Sequence, residues 1–326
     1  MDGQKPFTLG ILTSGGDAPG MNACIRAVVR TGLANNARVI GITNGFDGLI
    51  NGDFRVMGPR DVGGILQRGG TILQTRRSML FKEARGQREA IRRMNEAGMD
   101  GLVVVGGDGS LHGAHALARQ GIKVVGVPAS IDNDIWGTNM AIGVDTALNT
   151  IMEAVDKLRD TASSHSRAFL IETMGRGSGY LAVMAGIVCG AEIVLVPEVP
   201  VSVEEVADSV EDAYRRGKTH AIIIVAEGSN IRTTDLARML DEMDVGFTTR
   251  VTILGHIQRG GRPTAFDRLL AARLGTRATT ALIEGETGVM VGLQGRDIEL
   301  LPLETVLNHP RSANMDYFDM ARVLAR

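Results

Sequence analysis

The chain has 326 residues, room for about two domains of ordinary size, and its 35 Lys+Arg against 37 Asp+Glu leave a net charge of −2, which excludes a general nucleic-acid binder. Hydrophobic residues at 44 % and charged residues at 22 % form an ordinary globular composition and exclude intrinsic disorder. With 42 glycines and only 4 % aromatics, the chain calls for loops that approach a ligand closely.

In chain order, short β-branched runs alternate with longer helical patterns. The predicted strands are FTLGILT, ARVIGI, GLVVVG, KVVGVP, AFLIET, EIVLVP, HAIIIVA and GVMVGL. Helices are predicted around residues 20–34, 84–98, 110–120, 140–160, 178–190, 202–216 and 264–284. Such alternation specifies an α/β protein, with doubly wound, mainly parallel sheets and helices on both faces. Ligands of these folds bind where strands end and helices begin. The glycines fall there: TSGGDAPG after the first strand, GGDGS after GLVVVG, and MGRGSG after AFLIET.

Cys24 and Cys189 lie far apart with no metal-ligand spacing, so free thiols in a reducing compartment are expected. MDGQKPFTLG lacks the basic-then-apolar pattern of a signal peptide, and LAVMAGIVCGAEIVLV is too short and too interrupted to span a bilayer. A soluble, cytoplasmic protein is expected, with no nucleic-acid or membrane partner.

Three loops carry the chemistry. Gly15 and Gly20 have P-loop spacing, but Met21-Asn22 replace the required Lys-Ser/Thr, so only the backbone amides of the first loop are left to hold phosphate. In the second, Gly107 and Gly109 let the backbone approach a polyphosphate, with Ser110 opening a helix. A carboxylate there repels phosphate, so Asp108 makes sense as a Mg²⁺ holder; the plain alternative is a helix cap. The third loop, Gly177-Ser178-Gly179-Tyr180-Leu181-Ala182 with Glu198 further on, has the outline of a dinucleotide fingerprint and supports a dehydrogenase alternative. Arg176 precedes it and faces whatever fills the loop.

Asp132 and Asp134 follow the strand KVVGVP as a carboxylate pair, suited to one proton acceptor and one supporting group; the plain alternative is a solvated Asx-turn. Arg77, Arg167, Arg176, Arg250, His256, Arg259 and Arg262 lie in or near glycine-bearing loops, where guanidinium forks match phosphate oxygens. His112 and His115 lack a third ligand and read as helix residues, and RRSMLFKEARGQREAIRR reads as a solvated helix face.

Across nearly the whole chain, TSGGDAPGMNACIRAVVR, VVVGGDGS, IDNDI, SSHSR, MGRGSGY, VPE and LGHIQRGG resemble, in order and spacing, the bacterial-type ATP-dependent 6-phosphofructokinases. The resemblance implies transfer of the ATP γ-phosphate to the 1-hydroxyl of fructose 6-phosphate. It makes Asp132 the general base, Arg176 the stabiliser of the transferring phosphoryl group, and Asp108 the Mg²⁺ ligand, supported by Asp134. It places ATP on Gly16, Arg77, Ser78, Gly107, Asp108, Gly109 and Ser110. It places the sugar phosphate on Ser130, Met174, Gly175, Glu227, Arg250, His256 and Arg259 with Asp132, Arg167 and Arg176. Arg167 and Arg250 are implied to come from a neighbouring subunit of a homotetramer. An effector site for ADP or phosphoenolpyruvate is implied at Arg26, Arg30, Arg159, Glu192, Arg216, Lys218 and His220; Pro59 and Gly64 replace the pattern's arginine and aspartate, which leaves the effector open. Pyrophosphate-using relatives tend to carry aspartate at Gly109 and lysine at Ala129, so ATP is the expected donor, although Ala129-Ser130 replaces a common Gly-Thr. The implied lobes are 1–143 plus 257–308 for ATP and Mg²⁺, and 144–256 plus 309–326 for the sugar phosphate, with the active site in the cleft between them. The other readings are a pyrophosphate-dependent enzyme, a dinucleotide-dependent oxidoreductase and a non-catalytic phosphosugar sensor.

Overall fold

The computed structural model describes residues 6–309 and 315–325. Along the chain run β1 (Thr8–Ser14), α1 (Met21–Ala34), β2 (Arg38–Ile42), α2 (Gly45–Asn51), β3 (Phe54–Met57), α3 (Ala84–Glu96), β4 (Gly101–Gly106), α4 (Asp108–Ala118) and β5 (Val124–Pro128). There follow α5 (Val144–His165), β6 (Arg167–Thr173), α6 (Tyr180–Cys189), β7 (Ile193–Leu195), α7 (Val203–Arg215), β8 (Ala221–Ala226), α8 (Thr233–Met243) and β9 (Thr248–Ile253). The chain closes with α9 (Ala265–Glu284), β10 (Val289–Gln294), β11 (Asp297–Pro302), α10 (Leu303–Asn308) and α11 (Met315–Leu324).

By backbone contacts the chain divides into two units. The first holds residues through Ser130, Ile135–Asp145, and the stretch from Arg259 through α10; the second holds Ile131–Asp134, Thr146–Gln258 and α11. The first unit is built on a seven-stranded sheet of order β11-β10-β5-β4-β1-β2-β3. β1, β4 and β5 are buried along their whole length, which explains apolar runs without alternation: a parallel strand covered on both faces has no wet side. Leu12, Leu102 and Val104 gather with Phe46, Leu49, Met94, Leu111 and Leu117 of α2, α3 and α4 in one core. Ile11, Val103 and Val105 are equally buried and by strand alternation point the other way, while α1 packs along α9. The outer strands β3 and β11 are antiparallel to their neighbours, a departure from a purely parallel sheet.

The second unit is built on a four-stranded, all-parallel sheet of order β7-β8-β6-β9. Leu170, Ile223 and Val225 meet Val206, Val210, Leu236 and Leu240 of α7 and α8 in its core. α7 starts on a capping box, Ser202 with Glu205, which fixes where the loop after β7 ends.

These registers set the loops. Ser14 pairs with Gly106 and Gly106 with Pro128, so β1, β4 and β5 end level with one another. β1 leads to β2 on one side while β4 leads to β5 on the other, making β1/β4 a switch point where loops part and leave a crevice. In the second sheet Thr173 pairs with Ala226, and Glu172 with Ile253, so the loops after β6, β8 and β9 also emerge at one level.

The expected helix at 110–120 begins earlier, at Asp108, and the one at 140–160 begins later, at Val144, because Gly143 sits at φ 104°. In α3, Arg92 pairs with Glu89 and Glu96, the solvated face that its sequence suggests. Among the described residues no helix is long and apolar enough to cross a membrane.

Candidate active site

In the first unit, the loop after β1 leaves its strand through Gly15 at φ 87°, and Thr75 Oγ1 donates to the Gly15 carbonyl at 2.6 Å. Gly16 has no room for a side chain: a Cβ there would stand 2.2 Å from Arg259 Nη1. That guanidinium lies across the loop and donates to the Asp17 carbonyl at 3.3 Å. Arg259, which the resemblance assigns to the sugar phosphate, is thus seated against a residue assigned to ATP.

The loop after β4 turns straight into α4 with Gly107 as N-cap and no capping side chain. The Gly107 carbonyl accepts from Ser110 N at 2.9 Å and Leu111 N at 3.1 Å, which leaves the Asp108 and Gly109 amides of the first turn for an anion. Asp108 lies in that turn with its side chain 57 % exposed, and its Oδ2 is 3.4 Å from His112 Nδ1. No cluster of three or more metal-ligating residues occurs among the described residues. One exposed hard-oxygen donor beside a phosphate cradle nevertheless fits Mg²⁺, which commonly takes one or two carboxylates and fills its octahedron with phosphate oxygens and water. Ser78 Oγ accepts from Phe81 N at 3.2 Å, capping a short helical turn, and Arg77 is exposed nearby in sequence. Ser130 is half-buried at the end of β5, its amide donating to the Ile142 carbonyl at 3.1 Å.

In the second unit, Asp132 is buried, 4 % exposed, and its Oδ2 stands 3.5 Å from Arg176 Nε. Asn133 between the two aspartates is left-handed at φ 48°, and Asp134 is half-buried. Arg176 is left-handed as well, φ 53°, a conformation that costs a non-glycine residue roughly 1–3 kcal/mol and needs surrounding structure to hold it. Glu227 supplies that hold: its Oε1 accepts from Gly175 N at 3.2 Å and from Arg176 N at 2.8 Å. Gly228 lies against the same residue, since a Cβ there would fall 2.0 Å from the Arg176 carbonyl.

Gln258 is a residue that sequence reasoning missed. Fully buried, it accepts from Met174 N at 3.2 Å through Oε1 and donates to the Gly255 carbonyl at 3.0 Å through Nε2. It joins the loop after β6 to the turn that carries His256, which is exposed. The only signal was its place inside LGHIQRGG, between residues with more obvious chemistry.

Other residues are kept apart. Arg167 opens β6 whereas Met174 follows its far end, so within one chain they are roughly 20 Å apart at the usual rise per strand residue. Arg250, on β9 opposite Phe169, donates to the Thr249 carbonyl at 2.6 Å. The second unit's effector candidates do converge. Lys218 Nζ meets Glu192 Oε1 at 3.0 Å, and Arg159 donates to the Cys189 carbonyl. Glu192 and Arg216 line one cavity of about 430 Å³. Burial lowers the pKa of His220, Glu192 opposes the shift, and Arg159 and Lys218 reinforce it. Burial raises the thiols of Cys24 to about 12 and Cys189 to about 11, so both stay protonated at neutral pH. Arg26 and Arg30 lie on α1 in the first unit, where Arg26 shares a recess with Arg262 and Arg268.

The dinucleotide outline does not survive. The segment Gly177–Ala182 follows a strand and opens α6, but Glu198 folds back to accept from Gly179 N at 2.9 Å. An acidic residue thereby takes an amide that a pyrophosphate would need, instead of reaching a ribose.

Two α/β units bear these parts: one with glycine-lined amides beside the exposed Asp108 carboxylate, the other with a buried aspartate against an arginine. They define a protein of the phosphoryl-transfer class. The family model described as phosphofructokinase matches residues 8–282, and the chain belongs to that family. It is 51 % identical over 318 residues to the ATP-dependent 6-phosphofructokinase of Thermotoga neapolitana, covering 97 % of this chain and 99 % of that one. It is 48 % identical over 320 residues to ATP-dependent 6-phosphofructokinase 1 of Thermus thermophilus, with the same coverage. Among solved structures it resembles Pichia pastoris phosphofructokinase in the T-state, with TM-score 0.90 and 37 % identity; the match covers 94 % of this chain but spans only 36 % of that longer one. Pyrophosphate-dependent phosphofructokinase from Marinobacter aquaeolei, at TM-score 0.85 and 19 % identity over 97 % of this chain and 91 % of that one, shares the fold.

Proposed function

We propose that the chain is an ATP-dependent 6-phosphofructokinase, moving the γ-phosphoryl group of ATP to the 1-hydroxyl of D-fructose 6-phosphate. The observation that carries this reading is the buried Asp132 set against Arg176 at 3.5 Å, in a chain about half identical, end to end, to ATP-dependent relatives. The pyrophosphate-dependent neighbour shares only the fold.

In this reading the Asp108 and Gly109 amides at the start of α4, with Gly16 and the segment of Arg77 and Ser78, hold the nucleotide phosphates. Asp108 would hold Mg²⁺, which would neutralise charge on the phosphate oxygens. Asp132 accepts the proton of the attacking hydroxyl, a transfer that a positioned carboxylate accelerates by about 10²–10⁴-fold. Arg176, held by Glu227, offers its guanidinium to the migrating phosphoryl group. Met174 and Gly175 shape the sugar site beneath it, and Gln258 keeps that loop in place. The separation of Arg167 and Arg250 from Met174 supports the idea that they serve a neighbouring copy in a homotetramer. The cluster of Arg159, Glu192, Arg216, Lys218 and His220 supports a phosphate-bearing effector such as ADP or phosphoenolpyruvate.

Asp132→Asn tests the central role. Turnover should fall by at least about 10²-fold with little change in the sugar-phosphate KM, the signature of a lost general base. Near-normal turnover would remove Asp132 from the mechanism.

A further inference from the structure

The four residues 131–134, which carry both aspartates, leave the first unit and return to it. Both ends of this excursion are pinned. Before it, Ala129 N donates to the Gly106 carbonyl at 3.0 Å and Ser130 N to the Ile142 carbonyl at 3.1 Å. After it, Ile135 is buried in the core with Leu111, Leu303 and Val306, and the chain's one tryptophan, Trp136, packs on the same core. Trp136 also stacks on His309 just past α10, with ring centroids 4.6 Å apart and planes 24° from parallel. His309 Nδ1 lies 2.7 Å from the Thr305 carbonyl, which can only accept, so the imidazole donates there and is held in its tautomer and orientation.

The residues that follow bind β10 tightly. Gly137 sits so close that a Cβ on Gly292 would fall 2.1 Å from its carbonyl. Thr138 Oγ1 accepts from Leu293 N at 3.0 Å and donates to the Met140 carbonyl at 2.9 Å. Asn139 N donates to the Leu293 carbonyl at 2.7 Å. In this downstream anchor Trp136 follows the buried Ile135 directly, and its ring is the part held by a stack on a side chain remote in sequence. Only Ile135 separates Trp136 from Asp134, so Ile135 and Trp136 together set where the backbone of 131–134 rejoins the first unit.

We propose that Trp136 is a positioning residue for the reaction, holding the 131–134 segment through its stack on His309. The inference rests on the assignment of Asp132 as general base. It differs from that assignment in predicting an effect from a ring that touches no substrate.

The experiment pairs turnover with hydrogen exchange in Trp136→Leu, Trp136→Phe, His309→Leu and the double variant Trp136→Leu/His309→Leu. Trp136→Leu should lower kcat by about tenfold while the ATP KM moves less than about twofold, as expected for misplaced catalytic groups. Phenylalanine, which can still stack, should restore kcat to within about threefold of wild type. His309→Leu should lower kcat in the same direction. The double variant should be no worse than Trp136→Leu alone, because both changes break one contact. Amides in 131–134 should exchange faster in Trp136→Leu while those of β1 and β4 keep their protection. Unchanged exchange at 131–134, additive losses in the double variant, or a kcat loss that merely follows the folded fraction would each overturn the proposal. The exchange readout needs no turnover, and Asp132→Asn run alongside shows separately whether the base assignment has failed.

Discussion

Glu227 holds two consecutive amides with one carboxylate oxygen, at 3.2 Å from Gly175 N and 2.8 Å from Arg176 N, and its replacement by alanine removes both bonds. A hydrogen bond to a charged group contributes about 1.5–3 kcal/mol. The Gly175 amide is sheltered and loses that amount; the Arg176 amide is exposed, so water recovers part of its share. The sum is about 2–4 kcal/mol. It falls on a loop already strained by Arg176 at φ 53°, so the loop relaxes while both sheets, whose cores lie elsewhere, stay folded. At about 1.4 kcal/mol per decade, kcat/KM for fructose 6-phosphate should drop by about 30-fold to about 10³-fold. The assay is coupled ADP release across a sugar-phosphate titration at saturating ATP, with an ATP titration and a thermal melt alongside. The ATP KM and the melting midpoint should move little. Glu227→Gln should fall between wild type and alanine, since a neutral acceptor keeps about half the strength of a charged one. A loss below threefold in Glu227→Ala would refute the reasoning.

Two further changes separate binding from folding. Gly109 lies in the first turn of α4 with no atom within 4 Å of where a Cβ would stand, so Gly109→Asp should fold normally and keep its melting midpoint, aided by the helix dipole. Its carboxylate would meet the nucleotide phosphates, so the ATP KM should rise at least about tenfold; an unchanged ATP KM contradicts the placement of ATP on this turn. His220 binds its proton less readily in the folded protein than at its ordinary value of 6.5, so its contribution to stability is present above that pH and is lost as pH falls below it. His220→Gln should therefore flatten the fall in melting temperature between about pH 7 and about pH 5, and identical slopes in variant and wild type would reject the burial of a neutral imidazole there.

Buried parallel strands were legible because their apolar runs are unbroken: β4 begins and ends where GLVVVG does. β9, TTRVTI, and β11, DIELLP, escaped notice because polar and charged residues interrupt them, and their pairing comes from neighbours distant in the chain. α2 lies between Asn44 and Gly52, both left-handed, and carries two glycines of its own, so propensity argues against the helix that packing on Phe46 and Leu49 makes. Within the site, Asp132, Arg176 and the glycines were readable because charge and backbone freedom at strand ends have few plain uses. Gln258 and Trp136 were not. A neutral amide and an aromatic ring become legible only when the fold brings Met174 N to the one and His309 to the other. Arg167 shows the reverse, a residue with phosphate-binding chemistry that the length of β6 carries away from Met174 in the same chain.

The most direct measurement is ADP release from the purified protein with Mg-ATP, with and without fructose 6-phosphate, beside a parallel assay with pyrophosphate as donor. Release that requires both ATP and the sugar phosphate, with no reaction from pyrophosphate, is the expected result. Turnover with pyrophosphate alone would contradict the donor assignment at Gly109 and Ala129, and silence with both donors from folded protein would contradict catalysis itself.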